Sequence, residues 1–361
     1  MSALAPTHTP LATSAPAGPL ATLPRSPNQR AWARFKRNRL GYVSLWIFGA
    51  LLVLSALADV ISNDRPLVAY YDGAWSFPVF HNPPETRYGG DFRTPTDWTD
   101  PLIQDHFAQP GNWALYTFNR HSATSLDYFS KQPDPAPPSA SSWLGTDAVG
   151  HDMVARLLYG FRVSILFAFA LTFVGTSIGV ALGAVQGFFG GRLDLTGQRL
   201  IEIWSSVPEL YLLIIFASIF QPSLLLLLVL LSLFGWIGLS DYVRAEFLRN
   251  RSLEFVKAAR ALGLSNLQII WRHVLPNSLT PVITFLPFRM SGAILSLVAL
   301  DFLGLGVPAG VPSLGELVRQ GKSNLDAWWI IFPTFAVLVT TLLLLTFIGD
   351  ALRDAFDTRK S

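Results

Sequence analysis

The nearest approach to a nucleotide-hydrolysing motif in the 361 residues is Gly315 to Ser323, GELVRQGKS. A phosphate-cradling loop needs a glycine, four residues, then Gly-Lys-Ser or Gly-Lys-Thr, after a strand. Here five residues separate the glycines and no strand precedes them, so the match fails. Metal-assisted hydrolysis fares no better, because no HExxH occurs and the six histidines are not clustered with carboxylates at ligand spacing. With no cysteine, thiolate zinc cages, thiol nucleophiles and disulfide frameworks are excluded. What remains are ionisable residues inside apolar runs. Arg289 is the clearest, a candidate pathway residue that either meets the carboxylate of a passing solute or pairs with an acid on a neighbouring helix. No metal site, no catalytic residue and no directly bound cofactor is expected.

The elements that must position such residues are membrane helices. Half of the chain (51%) is hydrophobic and only 14% charged, against roughly 25% charged in soluble domains. The net charge of +3 is spread over short loops beside apolar runs rather than gathered in one patch, which argues against nucleic acid. A bilayer core needs about 20 apolar residues in a helix. Six spans meet that test, near 40–61, 162–188, 204–220, 223–241, 278–304 and 328–349. Residues 1–24, rich in Ala, Pro, Thr and Ser, are expected to be a disordered tail, and 25–39 a basic cytoplasmic segment. Residues 62–155 are expected outside, either as a cap over the mouth of a pathway or as a plain ordered loop. Residues 156–352 form the membrane core, and 353–361 a cytoplasmic tail. Orientation follows the basic flanks: Arg25 to Arg39 before the first span, Arg244 to Arg272 between the fourth and fifth, and Arg353, Arg359 and Lys360 at the end all belong in the cytoplasm, with both termini. Trp328 and Trp329 are expected as interfacial anchors.

Two local patterns add detail. Gly175, Gly179, Gly183 and Gly187, followed by Gly191, repeat every four residues and leave a smooth stripe against which a second helix can approach closely; that helix belongs either to this chain or to another subunit. The stretch Glu254 to Asn277, EFVKAARALGLSNLQIIWRHVLPN, predicts two short helices across a left-handed Gly263, the second opened by a Ser265/Gln268 capping box and stopped by Pro276. Its apolar residues Val256, Leu262, Leu264, Leu267, Ile269 and Ile270 are expected as knobs on a rigid docking element. The competing reading is a hairpin lying on anionic lipid.

This stretch resembles the EAA loop of binding-protein-dependent ABC importer permeases. Lys257, Ala258, Ala259, Gly263, Leu264, Leu275 and Pro276 fall in that family's spacing, although Lys257 stands where Glu is usual and His273 where an aliphatic residue is common. Within the family the loop over 253–277 is the coupling helix that enters a cleft on the ATPase subunit. WLGTDAVGHDMVARLLYGFRVSI (Trp143 to Ile165, with His151 in place of an expected Arg), the set Asp194, Arg199, Glu202 and Pro208, and LDFLGLGVPAGVPSLGE (Leu300 to Glu316) are similar to the dipeptide and oligopeptide branch, C-type subunit. The long external segment further resembles the Yej-type permeases for microcin C and peptides.

The resemblance implies an all-α integral membrane protein with six transmembrane helices, a type I ABC importer permease. It also implies a bacterial inner membrane, a second, B-type permease as heterodimer partner, ABC ATPase subunits that use ATP, and a periplasmic solute-binding protein. A stand-alone secondary transporter or channel is the alternative; it would predict related halves or several charges deep in the spans, and neither is present.

Overall fold

The computed structural model describes residues 27–126, 132–308 and 310–357. The tail assigned to 1–24, Arg25 of the first basic flank, and Arg359 and Lys360 of the last lie outside the described residues.

The chain enters through α1 (Pro27–Arg37) and α2 (Arg39–Ala56), joined at Asn38, whose side chain caps α2 by accepting from the Gly41 N–H. Helix α1 is amphipathic. It buries Ala31 and Phe35 and leaves Arg30, Lys36 and Arg37 exposed. After the short α3 (Ala58–Ile61) comes a segment with strands β1 (Val68–Tyr71) and β2 (Ala74–Ser76), helix α4 (Pro101–Phe107) and strand β3 (Trp113–Leu115). The strands form an antiparallel sheet in the order β2-β1-β3, pairing Tyr70 with Trp75 on one side and Trp113 on the other. The β1–β2 loop is Asp72-Gly73, both at positive φ, the backbone geometry that suits a two-residue hairpin. Ala69, Tyr88, Trp98 and Ile103 make a small core beneath. The stretch between α3 and α5 thus contains a folded unit with its own sheet in an otherwise helical chain.

The membrane core begins with α5 (Met153–Phe189), capped by Asp152 on the Ala155 N–H. It continues through α6 (Gly191–Ser205), α7 (Glu209–Ile219), α8 (Leu224–Ser232), α9 (Ile237–Asn250), α10 (Glu254–Ala261), α11 (Asn266–Ile269), α12 (Leu275–Phe302), α13 (Leu314–Ser323) and α14 (Trp328–Phe356). Among the described residues five helical stretches are long and apolar enough to cross a bilayer, with α8 and α9 counted together, and α6 and α7, bent by 61°, make a sixth. Pro208 lies at that bend, where it has no N–H to continue a helix. Helix α5 packs along α9, while α12 packs on α5 and α14, and α14 on α2.

Pro276 does not stop the hairpin's second helix as its type predicts. A π-helical turn, Ile270–Val274, joins α11 to α12, and the Leu275 N–H bonds back to the Ile270 carbonyl. Widening the turn just before the proline lets the helix run on past a residue that has no N–H to give. Helix α14 likewise runs to Phe356, through residues assigned to the tail.

Candidate coupling site, helix groove and membrane cleft

The hairpin is built as its residue types require. Gly263, at φ +79, ends α10; its N–H bonds to the Arg260 carbonyl and the Leu264 N–H to the Ala259 carbonyl, the paired bonds of a Schellman closure. Ser265 and Gln268 then form a reciprocal capping box. The six apolar knobs divide into two sets. Val256 and Ile269 are fully buried, Leu264 and Ile270 pack beside them, and only Leu262 (81% exposed) and Leu267 (64%) face outward, joined by Trp271. Val256 and Ile269 are therefore not available for docking, since helix geometry turns them toward the membrane helices.

Ala259 is buried with them, against a cluster that includes Ala184 and Phe188 of α5, Val243 and Phe247 of α9, and Val282 of α12. Leu275 is buried in the same cluster, whereas Ala258 and Pro276 are exposed. The Arg260 guanidinium lies 5.5 Å from the centre of the Phe188 ring. Lys257, exposed, pairs with Glu254 at 2.8 Å; the charge that departs from the family's usual Glu is held within the hairpin.

The glycine stripe of α5 lies against α9 of the same chain. A methyl group at Gly179 would fall 2.9 Å from the Trp236 carbonyl oxygen, and one at Gly187 2.5 Å from that of Arg244 and 2.6 Å from Phe247 Cβ. Gly183 meets the Ser240 carbonyl more closely still. Gly175 instead makes room for Arg289, whose Nη2 would stand 2.9 Å from such a methyl. Gly191 is not in the stripe; it opens α6 at φ +61. The same Gly175 begins a Gly-x-Ser-x-Gly spacing, Gly175-Thr176-Ser177-Ile178-Gly179. Ser177 lies on the exposed side in the middle of α5, with no strand-to-helix elbow.

Arg289 stands halfway along α12 and donates from Nη2 to the Gly235 carbonyl at 2.7 Å. That carbonyl is in the break between α8 and α9, so the guanidinium serves a backbone group left over where the helix is interrupted. It does not pair with an acid on a neighbouring helix among the described residues. It also lines a cleft of about 270 Å³ with Glu209.

A network at the N-terminal end of α5 had no role assigned from sequence. Asp147, fully buried, accepts from the backbone N–H groups of Val149 and His151 at 2.9 Å and stands 3.0 Å from His151 Nδ1. Arg156, 2% exposed, pairs with it at 3.4 Å and donates to the carbonyls of Ala123 and Gly310. Burial pushes the Asp147 carboxyl up, but the hydrogen bonds and charge of His151 and the Val149 N–H outweigh it and hold the group below the usual carboxylate range. Nearby, the Arg162 guanidinium and the Tyr159 hydroxyl donate to Asp59 at 2.7 and 2.8 Å. Asp301 accepts from the Val307 N–H at 2.7 Å and from the Ser313 hydroxyl. Trp329 donates its indole N–H to the Thr146 carbonyl at 3.1 Å, so of the two tryptophans it is a tether for the loop that precedes α5, while Trp328 is exposed. The signal available beforehand was the density of charged residues around the start of α5.

Two family models match. Residues 158–361 match the binding-protein-dependent transport system inner membrane component, and residues 26–84 the N-terminal TM domain of oligopeptide transport permease C. The chain is 48% identical to the inner membrane ABC transporter permease protein YejE of Escherichia coli K12, covering 92% of this chain and 98% of that one. Identity is 45% to the peptidoglycan transport system permease protein YejE of Agrobacterium fabrum (92% and 93%) and 31% to the dipeptide transport system permease protein DppC of Lactococcus lactis (92% and 91%).

Proposed function

Because the chain belongs to the binding-protein-dependent transport system inner membrane components, we propose that its cytoplasmic hairpin is the lever through which an ATPase drives peptide import. It is a multi-pass, non-catalytic inner-membrane permease subunit of an ABC importer, forming part of the translocation pathway for peptides or peptide-like compounds. Its partners are ATPase subunits, which use the ATP, and a solute-binding protein. The second permease is a B-type heterodimer partner, and both termini are cytoplasmic, which puts the hairpin on the ATPase side. Microcin C is one candidate cargo.

The observation that carries the lever is the two-sidedness of the hairpin. Val256, Ala259 and Ile269 are packed against helices α5, α9 and α12, while Leu262, Leu267 and Trp271 are left outward. Closely packed interiors transmit displacement with little give. A push on the outer face moves the ends of three membrane helices together, the rigid-body motion that alternating access requires. Lys257, Ala258, Gly263, Leu264, Leu275 and Pro276 shape this element, and the α5–α9 groove carries the motion across the bilayer.

The absence of cysteine makes the test clean, since Leu262→Cys and Leu267→Cys introduce the one thiol in the chain. In cells expressing the whole complex, a short bifunctional reagent is expected to join either position to the ATPase. Purified by a tag in mild detergent, the chain should bring the ATPase with it and lose it on Gly263→Pro. Cross-links that never reach a nucleotide-binding subunit would overturn the lever. Solute movement by the chain alone in liposomes, driven by an ion gradient, would favour the secondary-transporter reading, which has no observation on its side.

A further inference from the structure

The cleft at Arg289 holds one base and one acid that do not meet. It lies halfway along α5 and α12 and is lined by Thr172, Glu209, Gly235, Arg289, Gly292 and Ser296, among others. Among the described residues Glu209, at the first turn of α7, has no ion-pair or hydrogen-bond partner. Arg289 uses Nη2 on the Gly235 carbonyl, yet its Nε is buried with no partner. Thr172 Oγ1, on a residue 6% exposed, is also buried without one.

Charges and bare donors in a membrane interior are costly. A carboxylate and a guanidinium on one small cleft would ordinarily be expected to close on each other; here no ion pair joins them, and unused donors belong to the same lining. We propose that this cleft is a station for a short zwitterionic peptide, Arg289 facing the carboxylate end and Glu209 the ammonium end. A guanidinium presents a fork of donors that matches a carboxylate. The Thr172 and Ser296 hydroxyls are then placed for backbone amide groups, and Gly292 leaves the wall open beside them. At about 270 Å³ the cleft falls just below the roughly 300–1,000 Å³ of pockets for drug-sized ligands, a size for a short peptide rather than a long chain.

The inference rests on the peptide-import reading, and the experiment separates the two. The complete importer, with binding protein, second permease and ATPase, is reconstituted in proteoliposomes. Uptake of labelled trialanine is compared with that of its N-acetyl form and its carboxyl-terminal amide. Selection by the binding protein cancels when each variant is set against wild type. Glu209→Gln, which has no hydrogen bond to lose, is expected to lower the free-to-acetylated uptake ratio by about fivefold, the worth of a weak ion pair, and to leave the free-to-amide ratio alone. Arg289→Gln is expected to do the reverse, with Arg289→Lys intermediate. A purely structural role would lower all three uptakes together. If Arg289→Gln does not assemble, Glu209→Gln decides. Unchanged ratios in Glu209→Gln, with wild type importing trialanine, would overturn the station and leave the import reading standing. Failure of wild type to import any of the three would remove both.

Discussion

Gly263 occupies a conformation that costs an ordinary residue about 1–2 kcal/mol, and nothing lies within reach of an added methyl. Gly263→Ala is therefore expected to strain the hairpin without a clash, lowering peptide-stimulated ATP hydrolysis in the assembled importer while the chain still folds. Gly187 is different in kind. An added methyl there would press on the Arg244 carbonyl and Phe247 Cβ, and overpacking of this sort costs about 1–3 kcal/mol. Gly187→Ala should lower the thermal unfolding temperature in detergent, and Gly191→Ala, which meets no atom, should not lower it through packing. Asp147 is a third case. Its carboxylate is the counter-charge of buried Arg156, and removing one member of a buried pair costs about 3–5 kcal/mol. Asp147→Asn is expected to destabilise the purified protein by an amount of that order. Because the folded state holds this carboxyl below its unfolded value of about 3.9, its contribution is complete above that value and lost as the pH falls through the lower, folded one. Wild type should then show a loss of stability below about pH 4 to which Asp147→Asn contributes less.

The hairpin, the groove and the basic first helix show how one element can be half legible. Helix periodicity and caps define where α10 and α11 begin and turn, yet which side faces the membrane helices depends on α5, α9 and α12, distant in the chain. Ala259→Asp puts an unpaired charge into the buried face; the ATPase is expected to be lost on purification while the chain remains in the membrane, a result read by immunoblot of both fractions. Leu262→Asp, on the outer face, should weaken the same association with little effect on thermal stability. Helix α1 is held by Phe35 packing near Ala351 and Ala355, and by the Arg34 guanidinium donating to the Asp357 carbonyl at 2.9 Å. Phe35→Ala is expected to release it, seen as faster proteolysis within 27–37.

For the molecule as a whole, the apolar runs, the glycine stripe and the hairpin's glycine turn and capping box are legible in the sequence because each is a property of consecutive residues. A run of about 20 apolar side chains can satisfy its backbone in lipid only as a helix, so the chain's composition commits it to the membrane whatever its neighbours. Several assignments could not be made this way. The partner of the glycine stripe, the division of the hairpin's apolar residues and the contact of Arg289 with a broken helix all join segments far apart in sequence. The sheet between α3 and α5 had one local signal, Asp72-Gly73 between aromatic runs, but its third strand comes some forty residues later. Pro276 shows the limit most plainly. Proline by itself says that a helix ends, and only the π-turn before it, stabilised in a helix that packs on both sides, lets α11 run into α12. Residue types and their spacing determined which segments are apolar enough to cross the membrane and where the hairpin turns; tertiary structure decided which faces are buried, because burial is a relation between surfaces that the order of residues does not contain.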